Sequence, residues 1–163
     1  MCPICYNPIG IIHSSFKEVK GMPIQPSATN SRSGFIEIFD DYANGLQDIE
    51  GFSHLMLIYH FHRIRESKLT VIPFMDDKEH GIFATRSPVR PNAIGISIIK
   101  LIERTGNQLY VDHLDILDKT PLIDIKPFFE QYDNRFYTRS GWLNTSRTVD
   151  NTIADDRFEA CSL

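Results

Sequence analysis

The 163-residue chain is poor in cysteine: Cys2, Cys5 and Cys161 are all it has, and an odd number does not close a disulfide framework. Cys2 and Cys5 make one CxxC near the N-terminus, with no second pair to complete a four-ligand zinc set. Long apolar runs are missing too. The longest, around Leu55–Phe61, is broken by His60 and falls far short of a bilayer span. No basic segment followed by an apolar core opens the chain, so no signal peptide is expected, and the expectation is a soluble, cytoplasmic protein with no membrane partner. There is no GxGxxG after a strand, no GxxxxGK(S/T), no HExxH and no GxSxG. These absences exclude the usual dinucleotide and class I methyltransferase cradle, the P-loop, the HExxH zinc peptidases and the nucleophile-elbow hydrolases. Positive charge is not in excess either. Seventeen Lys and Arg stand against 21 Asp and Glu, a net −4, so contact with nucleic acid must come from a local basic patch. No internal repeat or low-complexity segment is present.

What is there reads as one globular domain, 42% hydrophobic and 23% charged. Period-two runs dominate. Ile9–Phe16, Gly34–Phe39, His54–His62, Gly81–Thr85, Ala93–Ile102, Leu109–Leu117 and Pro121–Ile125 predict strands. His54–His62 is so apolar that it predicts burial on both faces. Pro73 demotes Leu69–Met75 to an edge or bulge. Short helices are predicted at Tyr42–Ile49 and near Pro127–Tyr132. Many short strands favour closure, which removes exposed edges. The expected fold is therefore mainly β: a single-domain β-barrel over residues 1–133, followed by a C-terminal extension over 134–163 that ends in a helix at Asp150–Phe158.

Three stretches carry chemistry. In GIFATRSPVRPNAIG, residues 81–95, Pro88 restricts Ser87 and Pro91 restricts Arg90. Such a loop loses little entropy on binding. Arg86 and Arg90 suit a carboxylate or phosphate, Asn92 offers a donor and an acceptor, and Phe83 offers a flat surface. The bland alternative is a stiff connection with solvated arginines. His60-Phe61-His62 follows a strand, and alternation puts both imidazoles on one face; they are metal ligands, a base pair or polar residues at a barrel mouth. In LDILDKTPLIDIKPF, residues 114–128, Asp115, Asp118 and Asp124 punctuate an apolar frame, and Asp118 opens a turn whose carboxylate suits ribose hydroxyls as well as its own backbone.

GIFATRSPVRPNAIG also resembles the signature of the TsaA-like family, which includes the tRNA N6-threonylcarbamoyladenosine methyltransferases. MPIQP (Met22–Pro26), GFSHL (Gly51–Leu55) with FHR (Phe61–Arg63), and LDKTPLIDIKPF (Leu117–Phe128) resemble further blocks of that family in the same order. The resemblance covers roughly residues 8–130. It implies a β-barrel that binds S-adenosylmethionine, forms a homodimer with the cofactor near the subunit interface, and methylates N6 of threonylcarbamoyladenosine in the tRNA anticodon arm. Carried over by position, it implies cofactor contacts at Pro23, Ile24, Gln25, His62, Arg63, Arg86, Ile98, Leu117, Asp118, Lys119 and Thr120. The chain departs from the family pattern at Ile24, Met56, Ala93 and Lys119, where relatives often carry arginine, tryptophan, proline and glycine.

Methyl transfer to a urea-like nitrogen asks for alignment, dryness and a destination for one proton. His60, His62 and Asp115 are candidate bases, and no spacing selects among them. Arg63, Arg65 and Lys68 form one basic cluster for phosphates. Arg135, Arg139 and Arg147 form another, with Tyr137 and Trp142 available for base stacking. Other readings stay open: a methyltransferase acting on another nucleoside or a small molecule, an adenosyl-ligand binding module without catalysis, or a metal enzyme built on the histidines.

Overall fold

A computed structural model describes residues 2–24, 32–145, 153–155 and 157–158. Among the described residues there are eight strands: β1 (Gly10–His13), β2 (Gly34–Ile38), β3 (His54–His60), β4 (Thr70–Val71), β5 (His80–Gly81), β6 (Ile94–Thr105), β7 (Gln108–Asp112) and β8 (Thr120–Pro127). Six close into an antiparallel barrel in the order β1-β2-β7-β6-β3-β8, with β8 returning to β1; β4 and β5 form a separate ribbon. The barrel expected from the period-two runs is the fold observed. Closure leaves no free edge among the six strands.

Alternation sets the interior. Ile12, Ile36, Leu55, Leu57, Ile99 and Leu122 point inward and are fully buried. Each such burial contributes about 1.5–3 kcal/mol. β6 makes the corner. Ile94–Lys100 pair with β3 and Lys100–Thr105 pair with β7, with a register shift between Leu101 and Glu103. A bulge of this kind bends and twists a strand, which a small barrel needs to close. Gly106, at φ +63°, turns the chain between β6 and β7.

Several expected elements differ. β3 is buried on alternate residues, not on both faces: Leu55, Leu57 and Tyr59 are inside and Met56 and Ile58 only half-buried outside. An aliphatic outer face mimics a doubly covered strand. β3 also ends at His60, so the alternation does not extend to His62. Gly81–Thr85 is not a strand; after Gly81 the chain turns into a 3-10 helix at Ile82–Ala84, which buries Ile82. Leu109–Leu117 stops pairing at Asp112. The first predicted helix is a 3-10 segment at Asp40–Leu46, and the second is one turn, α1 (Glu130–Asp133). Of the helix expected at Asp150–Phe158, Asp150–Thr152 and Asp156 lie outside the described residues. Ile153 bridges Pro23 in extended conformation, so the described part is not helical.

Three connections gather at one end of the barrel: the described residues 14–24 and 32–33 between β1 and β2, 61–93 between β3 and β6, and 113–119 between β7 and β8. The C-terminal extension returns to the same end. The Trp142 indole donates to the Ala84 carbonyl at 2.8 Å and stacks on His80, Ala154 packs with Met22 and Leu117, and Phe158 packs with Val71, Ile82 and Val89. Among the described residues no helix is long and apolar enough to cross a membrane.

Candidate functional site

Asp118 is the hub of this end. Its carboxylate accepts the Ser14 amide at 3.0 Å and the Lys17 ammonium at 2.5 Å, and its own amide donates to the Phe16 carbonyl at 2.8 Å. Burial pushes the carboxyl up, but the Lys17 and Ser14 hydrogen bonds outweigh it and hold the group below the usual range. Asp118 thus ties residues 14–17 to the 113–119 connection; its carboxylate reaches across to that segment, whereas the sequence context suggested a bond to its own turn. Lys119 beside it adopts φ +63°, a backbone that glycine takes at lower cost. Thr120 donates to the Leu117 carbonyl at 2.7 Å, and its hydroxyl lies 3.3 Å from His62 Nδ1. With its hydrogen spent on Leu117, that oxygen is left to accept from Nδ1–H, so a neutral His62 presents Nε2 as an acceptor. Burial, then the charges of Arg63 and His60, lower the His62 pKa and favour that neutral form. Arg63 donates to the Lys17 carbonyl at 3.1 Å.

An apolar ledge borders the hub. Met22 and Leu117 are buried there, with Phe16 and Ile24 packed against them. Pro23 sits in the bridge to Ile153. Gln25 lies outside the described residues.

The proline-bracketed loop divides its two arginines. Arg90 does not point out; it donates to the carbonyls of Thr85 (2.9 Å) and Ser87 (3.4 Å) and so braces the loop from within. Val89 anchors the loop in the cluster with Ile82 and Phe158. Ser87 is buried, and its hydroxyl has no hydrogen-bond partner among the described residues. Arg86 is exposed, and its charge acts on Asp115 and on Tyr59.

These last two residues belong to a polar layer at the top of the barrel interior. Ser97 donates to Asp115 Oδ1 at 2.7 Å and lies 3.2 Å from the Tyr59 hydroxyl. Burial pushes the Asp115 carboxyl up to about 6, against the opposing hydrogen bond from Ser97. Burial also raises the Tyr59 phenol. Gly95 makes room for this layer, since a Cβ there would collide with the Tyr59 and Phe61 rings.

The structure therefore brings Pro23, Ile24, His62, Arg63, Arg86 and Leu117–Thr120 to one end of the barrel. Ile98 is not with them. It faces outward on β6, level with Met56, while Thr120 lies beyond the Leu122–Tyr59 pair. That separation is about five residues of strand, roughly 17 Å. Ser14, Lys17, Tyr59, Ser97 and Ser87 were missed in the sequence. Only Ser87 carried a signal there, its place between Arg86 and Pro88. Trp142, with one face on His80, is less available for a base than expected; Phe136 and Tyr137 are fully exposed. Arg147 lies outside the described residues. Among those described, no group of three or more His, Cys, Asp or Glu is placed to hold a metal.

Residues 11–134 match the family model described as the tRNA-methyltransferase O N-terminal domain. A Pyrococcus abyssi protein named "Probable S-adenosyl-L-methionine-binding protein" is 52% identical over 95% of this chain and 85% of its own length. The mouse protein named tRNA (adenine(37)-N6)-methyltransferase is 34% identical over 78% of this chain, but only 31% of its own length is matched. The crystal structure of TrmO from Pseudomonas aeruginosa superposes with a TM-score of 0.72 at 30% identity, covering 86% of this chain and 63% of that one. The chain thus spans most of the archaeal relative and a fraction of the mammalian and bacterial ones.

Proposed function

The chain belongs to the tRNA-methyltransferase O N-terminal domain family, and on that premise we propose that it is an S-adenosylmethionine-dependent tRNA methyltransferase acting on N6 of threonylcarbamoyladenosine next to the anticodon. One observation carries the reading: the residues that the family resemblance assigns to the cofactor converge, Ile98 and Gln25 aside, on one barrel end built from three separate connections. The groups there suit the ligand. The ledge of Met22, Ile24 and Leu117 offers an apolar seat for an adenine ring. Ser87 supplies a buried hydroxyl in want of a partner. A neutral His62 does not repel a sulfonium, and Arg86 offers a cation to a carboxylate.

When bound, the cofactor supplies an electrophilic methyl group on a positively charged sulfur. The protein's share is alignment and exclusion of water. The loop braced by Arg90 and the turn fixed by Asp118 hold the walls of the site without needing to order on binding. For the RNA, Arg65 and Lys68 on the 61–93 connection and Arg135 and Arg139 on the extension are exposed cations, and Phe136 and Tyr137 are exposed rings.

The reading includes a homodimer in the cytoplasm. Ile94, Ile96 and Ile98 form an exposed stripe along the outside of β6, flanked by Met56 and Ile58 of β3 and ended by Lys100. Such a contiguous apolar face supports association with a second copy. It would also account for Ile98, which lies too far along the barrel wall to reach a cofactor held by its own chain.

The test is mass spectrometry of nucleosides from threonylcarbamoyladenosine-containing tRNA incubated with protein and S-adenosylmethionine. The reading predicts conversion of that nucleoside to a form one methyl group heavier. A non-catalytic module binds the cofactor and leaves the nucleoside unchanged.

A further inference from the structure

The interior of the barrel is apolar except at its functional end. There β3 contributes Tyr59, β6 contributes Ser97, and the 113–119 connection lowers Asp115 onto them. Asp115 makes no ion pair within 4.0 Å among the described residues, unlike Asp118 a few residues on. Taking an unpaired carboxylate out of water costs several kcal/mol, and an apolar side chain at this position would avoid that cost. The fold has no visible need of the group, since the turn it precedes is held by Asp118. One hydrogen bond nevertheless fixes it, from Ser97 on β6 with Tyr59 of β3 behind Ser97, and the Arg86 charge acts on it from the 61–93 connection. Asp115 is only partly covered, and the connection that carries it lies at the end of the barrel where the residues assigned to the cofactor converge.

We propose that Asp115, presented by Ser97 with Tyr59 behind it, is the base that takes the N6 proton of the nucleoside. This rests on the methyltransferase reading above. The N6–H bond breaks and its electron pair enters the new bond from nitrogen to the methyl carbon, the methyl–sulfur bond breaks with its pair going to sulfur so that a neutral thioether would leave, and the proton forms an O–H bond on Asp115, which becomes neutral. A urea-like nitrogen becomes acidic only as that bond to carbon forms, so a carboxylate suffices as acceptor late in the step. The raised affinity of Asp115 for a proton makes it a better acceptor than an exposed carboxylate. His62 is the rival base, and its pKa moves the other way.

Two measurements test this. The first needs no turnover. The carboxyl carbon resonance of Asp115 in the free protein is followed against pH, with Ser97→Ala beside it. The proposal expects a midpoint near 6, moving higher once the Ser97 hydrogen bond is gone; a midpoint in the ordinary carboxylate range overturns it. The second is single-turnover methylation by wild type, Asp115→Asn, Asp115→Glu and His62→Gln at saturating cofactor. Asp115→Asn should lose about 10²–10⁴-fold in rate together with the acid limb of the pH profile. Its affinities for S-adenosylmethionine and tRNA should be unchanged, and Asp115→Glu should recover part of the rate. Full rate in Asp115→Asn, or an acid limb lost in His62→Gln and kept in Asp115→Asn, overturns the proposal. A wild type that binds cofactor and tRNA but never methylates overturns the functional reading itself, and this inference with it.

Discussion

Ser97 and Asp115 share a hydrogen bond of 2.7 Å at the mouth of an otherwise apolar barrel. The bond opposes burial without cancelling it, and the Asp115 carboxyl stays near 6 instead of the usual 3.8. The folded state therefore binds more protons than the unfolded state between those values, and this group's contribution to stability falls as pH rises through them. Asp115→Asn removes that titration. The variant is expected to be more stable than wild type above pH ~7, by at most about 3 kcal/mol, with the advantage gone near pH ~4. Urea unfolding at the two pH values measures it.

Asp118 has the opposite sign. Its carboxyl is held low by Lys17 and Ser14, so its contribution is present above the unfolded carboxylate value and is lost as pH falls through the folded one. Asp118→Asn should cost about 1–3 kcal/mol at neutral pH, a difference that shrinks as the wild-type carboxylate is protonated in acid. Denaturant midpoints across the acid range give the comparison.

The difference between these two aspartates was not legible in the sequence. Both punctuate the same apolar frame. What separates them is Lys17 and Ser14 for one and Ser97 and Tyr59 for the other, and nothing local links a residue to a partner on another strand. The barrel itself was legible, because alternation is a property of neighbours in the chain. It misled where aliphatic residues face outward, as on β3, and where an apolar run leaves the sheet, as at Gly81–Thr85 and beyond Asp112. Arg90 was misread for a related reason: a guanidinium in a stiff loop looks like a ligand hand until the loop's own carbonyls are seen to fill it. The residues assigned to the cofactor come from whole motif blocks, and the convergence of most of them on one barrel end follows from an antiparallel order that no single block contains.

The outer stripe of β6 yields a prediction about assembly. Ile96 is 53% exposed and stands between Ile94 and Ile98 on the same face. A charge there should be tolerated by the barrel and not by an interface. Ile96→Asp is expected to convert a dimer to a monomer in sedimentation experiments with no loss of thermal stability beyond that from dissociation. A wild type that sediments as a monomer at high concentration contradicts the dimer.

The central claim is that one end of this barrel holds S-adenosylmethionine, and calorimetric titration of the purified protein tests it most directly, with Arg86→Ala in parallel. Saturable binding by the wild type, weakened at least tenfold in a variant with unchanged circular dichroism, is the predicted result; such a loss corresponds to about 1.4 kcal/mol or more. No binding by the wild type, with or without tRNA, or binding that Arg86→Ala leaves untouched, would contradict the site described.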